Sequence, residues 1–153
     1  MRSFEKISYE QFKKDISDSK ELYNNYKIPS RETKAAAGYD FLALCDFTIE
    51  PGDIKKIPTG IKANMKIDEV LLLVVRSGMG FKYNVRLCNQ VGVVDADYYN
   101  NKDNEGHIWI KLQNEGDKTF VVKKGEGFAQ GIFIKYLTVD DEENSFKDRT
   151  SNY

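Results

Sequence analysis

The chain has 153 residues, enough for one domain with a single buried core. Lysine and arginine number 23 against 24 acidic residues, a near balance that argues against a nucleic-acid or membrane-binding surface. Its two cysteines, Cys45 and Cys88, sit in apolar stretches without a spaced framework, so they read as buried thiols of a reducing cytoplasm.

The first part reads helical. In "SYEQFKKDISD" Ser8 and Gln11 have capping-box spacing, and Phe12 and Ile16 fall four apart on one face. Residues 1–28 therefore read as a short helical extension, with no pattern of a signal peptide. "KIPSRE" follows as an extended connector, because Pro29 biases Ile28 away from the helical region.

From Tyr39 the pattern changes to short β-rich runs separated by turns. "YDFLALCDFTIE" ends at "EPGD", where Pro51 and Gly52 suit the centre of a type II turn. "IKKIPTGIKANM" carries a Pro-Thr-Gly interruption. "EVLLLVVRS" is a continuous apolar run, as expected for a strand covered on both faces, and is far too short to span a bilayer. "NVRLCNQVGVVD", "GHIWIKLQN", "KTFVVKK" and "FAQGIFIKYL" complete the series, with "NEGD" and "KKGEG" as turns. The pattern predicts an all-β sandwich, barrel or jelly roll over 29–140, and a polar, mobile tail over 141–153.

Several charged or small residues fall where strands end. Asp40 follows "AAAG"; Arg76, Ser77 and Gly78 close the longest apolar strand; Asp95 closes "VGVV"; Gln130 lies in the last long strand. Arginine offers a planar fork of donors to phosphate, serine a hydroxyl, and glycine a close backbone approach. Carboxylates can face a hydrated cation or orient a water. Taken singly, each residue is ordinary strand-end polarity; taken together they suit phosphate-ester chemistry. His107 is the only histidine and no CxxC occurs, so a metal would bring oxygen ligands rather than sit in a zinc site.

At this point the chain resembles the trimeric dUTP diphosphatases (dUTPases), a family marked by five short motifs. "AAAGYDFLA", "RSGMGFK", "NQVGVVDADYYN" and "GEGFAQGIF" look like the first four, in order. "NNKDNEGHI" and "PSRETKAAAGYD" resemble a branch found in Gram-positive bacteria and their phages. The resemblance implies a jelly-roll-like subunit and a homotrimer with three sites at subunit interfaces. It also implies Mg²⁺-dependent hydrolysis of dUTP to dUMP and pyrophosphate. By position, Asp95 matches the carboxylate that orients and activates the water attacking the α-phosphorus. Tyr98 matches the ring that packs on the deoxyribose and leaves no room for a 2′-hydroxyl. Asn89 and Gly92 lie in the hairpin whose backbone reads uracil. Arg76, Ser77, Gly78 and Gln130 match groups on the phosphate chain, and Asp40 a carboxylate that meets Mg²⁺ through its waters. Asp97 and Tyr99 match positions without a direct role, Trp109 reads as core or interface, and Lys82 as a solvated loop lysine or a phosphate contact.

The chain departs from the pattern in three places. Asn100 stands where a glycine is common, and Gly127 where the fourth motif usually carries arginine. Of the glycine-rich fifth motif only "RTSNY" is present, with Arg149 matching its arginine and Tyr153 its aromatic lid. Either the tail is shortened or the site closes in another way. Two rivals share the fold. A dCTP deaminase would carry a glutamate three residues before Asn114, where Lys111 stands. A non-catalytic, regulatory trimer is the other.

Overall fold

Antiparallel strands carry the fold, as the short β-rich runs predict. The computed structural model describes residues 1–143, 145–151 and 153. The chain opens with β1 (Ser3–Lys6), α1 (Tyr9–Asp15) and α2 (Lys20–Asn25). It continues through β2 (Tyr39–Leu42), β3 (Phe47–Ile49), β4 (Ile54–Pro58), β5 (Ile61–Asn64) and β6 (Glu69–Val74). Then come α3 (Ser77–Tyr83), β7 (Val85–Leu87), β8 (Gly92–Asp95) and a 3₁₀ turn (Ala96–Tyr98). β9 (Trp109–Asn114), β10 (Phe120–Val122) and β11 (Gly127–Lys135) complete the order.

The largest sheet runs β2-β11-β6-β8, beside a sheet β4-β9-β7 and the pairs β1-β5 and β10-β3. Neighbours in these sheets are mostly distant in sequence, which is the crossing connectivity of a jelly-roll-like fold. A single core takes Leu71, Leu73, Val94 and Phe128 from the first sheet and Ile57, Leu87, Ile110 and Leu112 from the second. Each such side chain, fully buried, contributes about 1.5–3 kcal/mol.

The N-terminal part holds more than the expected helix. β1 pairs antiparallel with β5, and a second helix follows the first. Ser8 caps α1 by accepting from the Gln11 N–H at 3.1 Å, as its spacing predicts. The reciprocal arm of the box is absent: Gln11 donates to Asp15, while the Ser8 N–H donates to Glu105 at 2.8 Å. The Pro51-Gly52 turn closes with the Asp53 N–H donating to the Glu50 carbonyl at 2.9 Å. Cys45 is exposed and Cys88 half-buried, and both are free, which corrects the reading of both as buried thiols.

β6 departs from expectation in an informative way. Leu71 and Leu73 point into the core, but Leu72 and Val74 on the opposite face are only half covered. Register places Leu72 between Ile132 on β11 and Val93 on β8. Val93 is 62% exposed and Ile134, on the same face, 43%. The middle of this face of the main sheet is thus apolar and only partly covered within the single chain, the kind of patch that marks an interaction surface.

At its other end β6 starts with the buried Glu69. Arg2 donates to its carboxylate through Nε at 2.9 Å and again through Nη2, and the Lys66 N–H donates at 2.9 Å. The Arg2 hydrogen bonds, joined by that N–H, hold the carboxyl at about 2, below its ordinary 4.5. A depressed carboxylate stabilises the fold fully above its unfolded pKa, and that stabilisation is lost as pH falls towards the folded one. Arg2→Ala is therefore expected to flatten the stability profile between about pH 4.5 and 2, measured by denaturant unfolding at stepped pH. An unchanged slope would exclude the pair as a source of acid sensitivity.

Candidate functional site

Two clusters of candidate residues form at opposite ends of β6. The first gathers where β6 ends. Asp40 on β2 stands opposite Gln130 on β11, and Gln130 stands opposite Val74 on β6. Arg76 leaves β6 and serves as the N-cap residue of α3, so "RSGMGFK" starts a helix where a strand-end loop was expected. Its Nε lies 3.4 Å from Asp40 Oδ1, and its Nη2 lies 3.2 Å from Glu32 Oε2. Nη1 donates to the Gly127 carbonyl at 3.3 Å. Gln130 Nε2 donates to the Val75 carbonyl at 3.2 Å. Ser77 and Gly78 form the exposed first turn of α3, ahead of the helix's own hydrogen bonds. Arg76, Ser77, Gly78, Lys82 and Gly127 line an open cavity of about 440 Å³. A larger hollow of about 680 Å³ between Leu22 and Cys45 contains none of the candidate residues.

Gly127 acquires a physical reason here. A Cβ at this position would lie 2.9 Å from Arg76 Nη1. The guanidinium of Arg76 occupies the space that a side chain at 127 would need. A side chain at 127 would therefore shift the end of the Arg76 side chain.

The second cluster forms where β8 ends. Asp95 closes β8, and the 3₁₀ turn that follows carries Asp97 and Tyr98. Tyr98 is 8% exposed. Its hydroxyl donates to the His107 carbonyl at 2.8 Å and accepts from Asn104 Nδ2 at 2.7 Å. Burial, the chief cause, pushes this phenol up to about 12, so it stays a neutral ring with a fixed hydroxyl. The expected mobile tail returns to this place. Arg149 donates to Asp95 through Nη2 at 2.6 Å and to Asp97 through Nε at 2.8 Å. Tyr153 meets the Tyr98 ring edge-on at 6.0 Å between centroids. The pair of aspartates together raises the Arg149 guanidinium further, the Asp97 hydrogen bond first.

The hairpin before Asp95 is tightly built. Gln90 has a left-handed φ of 63°, and the Val91 N–H donates to the Asn89 carbonyl at 2.6 Å, a γ-turn of the rare, strained kind. Asn89 and Val91 are exposed at the tip. Gly92 faces the sheet, where a Cβ would lie 2.9 Å from Leu73 Cβ. Asn100, the other departure, sits at φ 57°, the left-handed region that asparagine tolerates best after glycine.

The clusters do not meet within one chain. Asp95 pairs with Val70, whereas Gln130 pairs with Val74 on the other side of the same strand. Four residues along a strand span roughly 13 Å, and two strand spacings add about 10 Å across. Asp40, Arg76, Ser77, Gly78 and Gln130 are brought together; Asp95, Tyr98, Arg149 and Tyr153 are brought together separately.

Sequence reasoning underrated some neighbours. His107, a lone polar residue in the sequence, is fully buried just before β9. Its Nδ1 is 2.6 Å from Asp15 Oδ2, and its Nε2 accepts from the Gly60 N–H at 2.9 Å. Those partners place the proton on Nδ1. Burial pushes the imidazole below its ordinary value, against the opposing pull of Asp15. Trp109 lies beside it with ring centroids 5.1 Å apart, and Lys56 Nζ sits 4.7 Å above the indole. Tyr99 donates to Glu5 on β1, and Lys82 is exposed. Lys111 stands exposed on β9 opposite Lys56, so no acid occupies that point of the strand. Among the described residues no group of three or more His, Cys, Asp or Glu could hold a metal alone. No helix among them is long and apolar enough to cross a membrane.

Comparison with known proteins places the chain in a family. A family model described as dUTPase matches residues 24–153. The deoxyuridine 5'-triphosphate nucleotidohydrolase of Lactococcus lactis is 44% identical over 139 residues, 87% of this chain and 93% of that protein. The crystal structure of dUTPase from Streptococcus mutans superimposes with a TM-score of 0.70 at 40% identity, covering 90% of this chain and 98% of that one. The dUTPase from phage phi11 of S. aureus is 20% identical with a TM-score of 0.68, over 95% of this chain and 99% of its own, a likeness of fold. With the motif residues in two ordered clusters and a match over most of its length, this chain belongs to the dUTPase family.

Proposed function

We propose that the protein hydrolyses dUTP to dUMP and pyrophosphate, in a site shared between copies of the chain. The observation that carries this reading is the separation of the clusters along β6. Arg76, Ser77, Gly78 and Gln130 form a phosphate grip at one end, and Asp95 with Tyr98 forms a water-and-sugar site at the other. Neither cluster is a complete site, since phosphoryl transfer needs charge neutralisation and an oriented nucleophile at the same phosphorus. The apolar face bearing Leu72, Val74, Val93 and Ile132 supplies a surface for a partner copy, and a homotrimer with three such sites is the assembly we infer.

In this site Asp95 accepts a hydrogen bond from the attacking water and takes its proton as the oxygen bonds to the α-phosphorus. The pyrophosphate leaves opposite, in line, from the side gripped by Arg76. Asp40 would hold a magnesium ion through that ion's waters, as a carboxylate suits a hydrated cation. It is a single carboxylate, 16% exposed, at the edge of the grip, and not part of a cage of protein ligands. When bound, the ion neutralises developing charge on the triphosphate. The strand-hairpin backbone around Asn89 and Gly92 offers N–H and C=O groups to uracil's acceptor–donor–acceptor edge, which cytosine's reversed pattern would leave unpaired. The free cysteines fit a reducing compartment, and a cytoplasmic setting is part of the same proposal.

The test is steady-state pyrophosphate release from dUTP, UTP, dCTP and dTTP with Mg²⁺. Release from dUTP far faster than from the other three is expected. Ammonia from dCTP would mean a deaminase, and nucleotide binding without turnover a regulatory protein. The second outcome has one observation on its side, since Arg149 occupies Asp95.

Tyr98→Ala is expected to narrow the preference for dUTP over UTP by at least about tenfold, because the ring and its fixed hydroxyl no longer wall off a 2′-hydroxyl. Competition kinetics with both nucleotides read this directly. An unchanged ratio would remove Tyr98 from sugar selection.

A further inference from the structure

Three features that the phosphate chemistry leaves unused meet at one buried node: the N-terminal helices, the Pro-Thr-Gly interruption and the only histidine. We infer that Asp15 and His107 are positioning residues for sugar selection, through which the N-terminal segment buttresses Tyr98. The inference rests on the reading of Tyr98 as the sugar wall.

The node is built from backbone outward. Gly60 sits between β4 and β5 at φ 73°, a left-handed turn. Its carbonyl accepts from the Ile7 N–H at 3.0 Å and from the Tyr26 hydroxyl at 2.7 Å. Both donors belong to the N-terminal segment, and both residues lie in the core. The Tyr26 ring lies where a Cβ on residue 60 would come within 2.9 Å, so the turn and the aromatic ring fit only with glycine. On its other side the Gly60 N–H donates to His107 Nε2 at 2.9 Å. His107 Nδ1–H then donates to Asp15 Oδ2 at 2.6 Å, at the end of α1. Gln11 Nε2 donates to the same Asp15 oxygen at 2.9 Å and fixes it.

The imidazole is thereby held on both nitrogens, with no exposed surface. An imidazole pinned at two points leaves its own backbone little freedom, and the carbonyl of His107 is what the Tyr98 hydroxyl donates to, at 2.8 Å. Asn104 Nδ2 closes the arrangement on the same hydroxyl at 2.7 Å. The path from α1 to the Tyr98 ring thus runs through hydrogen bonds of 2.6 to 2.8 Å and one rigid ring. Removing Asp15 or its bond leaves a buried N–H without a partner, and the ring is then held at Nε2 alone, by the Gly60 N–H. The cost falls on where the Tyr98 hydroxyl is held. A displacement of a fraction of an ångström matters there, because exclusion of a 2′-hydroxyl is a steric test.

The experiment compares kcat/KM for dUTP and UTP in the full-length wild type, Asp15→Ala, Asp15→Asn, His107→Gln and Tyr98→Ala, below the melting temperature of each. Asp15→Ala is expected to reduce the dUTP/UTP ratio about tenfold, with kcat for dUTP changing less than the ratio. Asp15→Asn keeps an acceptor oxygen and is expected to restore most of it. His107→Gln keeps an acceptor for the Gly60 N–H, drops the bond to Asp15, and reads the same link should Asp15→Ala fail to fold. A folded Asp15→Ala or His107→Gln protein with the wild-type ratio, even if less stable, overturns the inference. If Tyr98→Ala itself leaves the ratio unchanged, the sugar-wall reading fails instead, and the two failures are told apart.

Discussion

Asp95→Asn is expected to lower pyrophosphate release from dUTP by about 10²–10⁴-fold while a non-hydrolysable dUTP analogue still binds. The substitution is nearly isosteric, and the side chain is 42% exposed at the end of β8, so the fold has little reason to respond. What changes is the ability to take a proton from the attacking water. An amide can still hold that water by a hydrogen bond, which is why binding and positioning survive and turnover does not. There is a secondary effect on the tail. Arg149 now bridges Asp95 and Asp97, and the variant leaves Asp97 as its only charged partner in this pair. Looser tail docking would raise the analogue's affinity where the tail competes with nucleotide. Single-turnover kinetics with isothermal titration of the analogue separate the two quantities. Turnover within a few-fold of wild type would remove Asp95 from the chemistry. Loss of analogue binding together with turnover would mean that its role is in holding nucleotide.

Most of the strands were legible in the sequence because they are rich in β-branched or aromatic residues and bounded by turn residues. Arg76 and Asp95 were legible as charges placed where an apolar run stops, whereas Asp40 lies within β2. α3 was not legible. Gly78 and Gly80 weaken any helical reading of "SGMGFKY", and local propensity gives no reason for a helix there. The helix forms because Met79 is buried, and because Asn84 closes it in the left-handed conformation with its N–H on the Gly80 carbonyl. β1 escaped notice because four residues carry too little pattern, and its strand character comes from pairing with β5. His107 escaped because a lone polar residue before a strand gives no sign of burial. Its partners, Asp15 and Gly60, lie 92 and 47 residues away in sequence. The Arg149 contact with Asp95 is likewise long-range, and composition alone reads that tail as polar and free. Convergence is what sequence spacing could not supply, and its absence within one chain proved to be as informative as its presence.

That absence leads to the second large effect. Arg76→Ala removes the donor fork from the phosphate grip and is expected to abolish turnover nearly as completely as Asp95→Asn, while leaving Asp95 and Tyr98 untouched. Each variant alone should be inactive. Unfolded together and refolded as a mixture, they should regain activity. A site that draws Asp95 from one copy and Arg76 from another is intact wherever an Arg76→Ala chain supplies the aspartate and an Asp95→Asn chain supplies the arginine. Random mixing at equal amounts in a closed ring makes about a quarter of the sites wild type. A site contained in one chain can never be restored this way, because every chain carries one of the two lesions. The expected result is therefore activity near a quarter of wild type in the co-refolded sample, and none when the two variants are merely mixed after folding. The same preparation carrying Val93→Asp should fail to recover, since a charge on the exposed apolar face of the main sheet would be buried unpaired between copies. Recovery that survives Val93→Asp would place the shared interface elsewhere on the molecule. No recovery at all would put both clusters of each site on one chain, which the register of β6 opposes by some four residues and two strands.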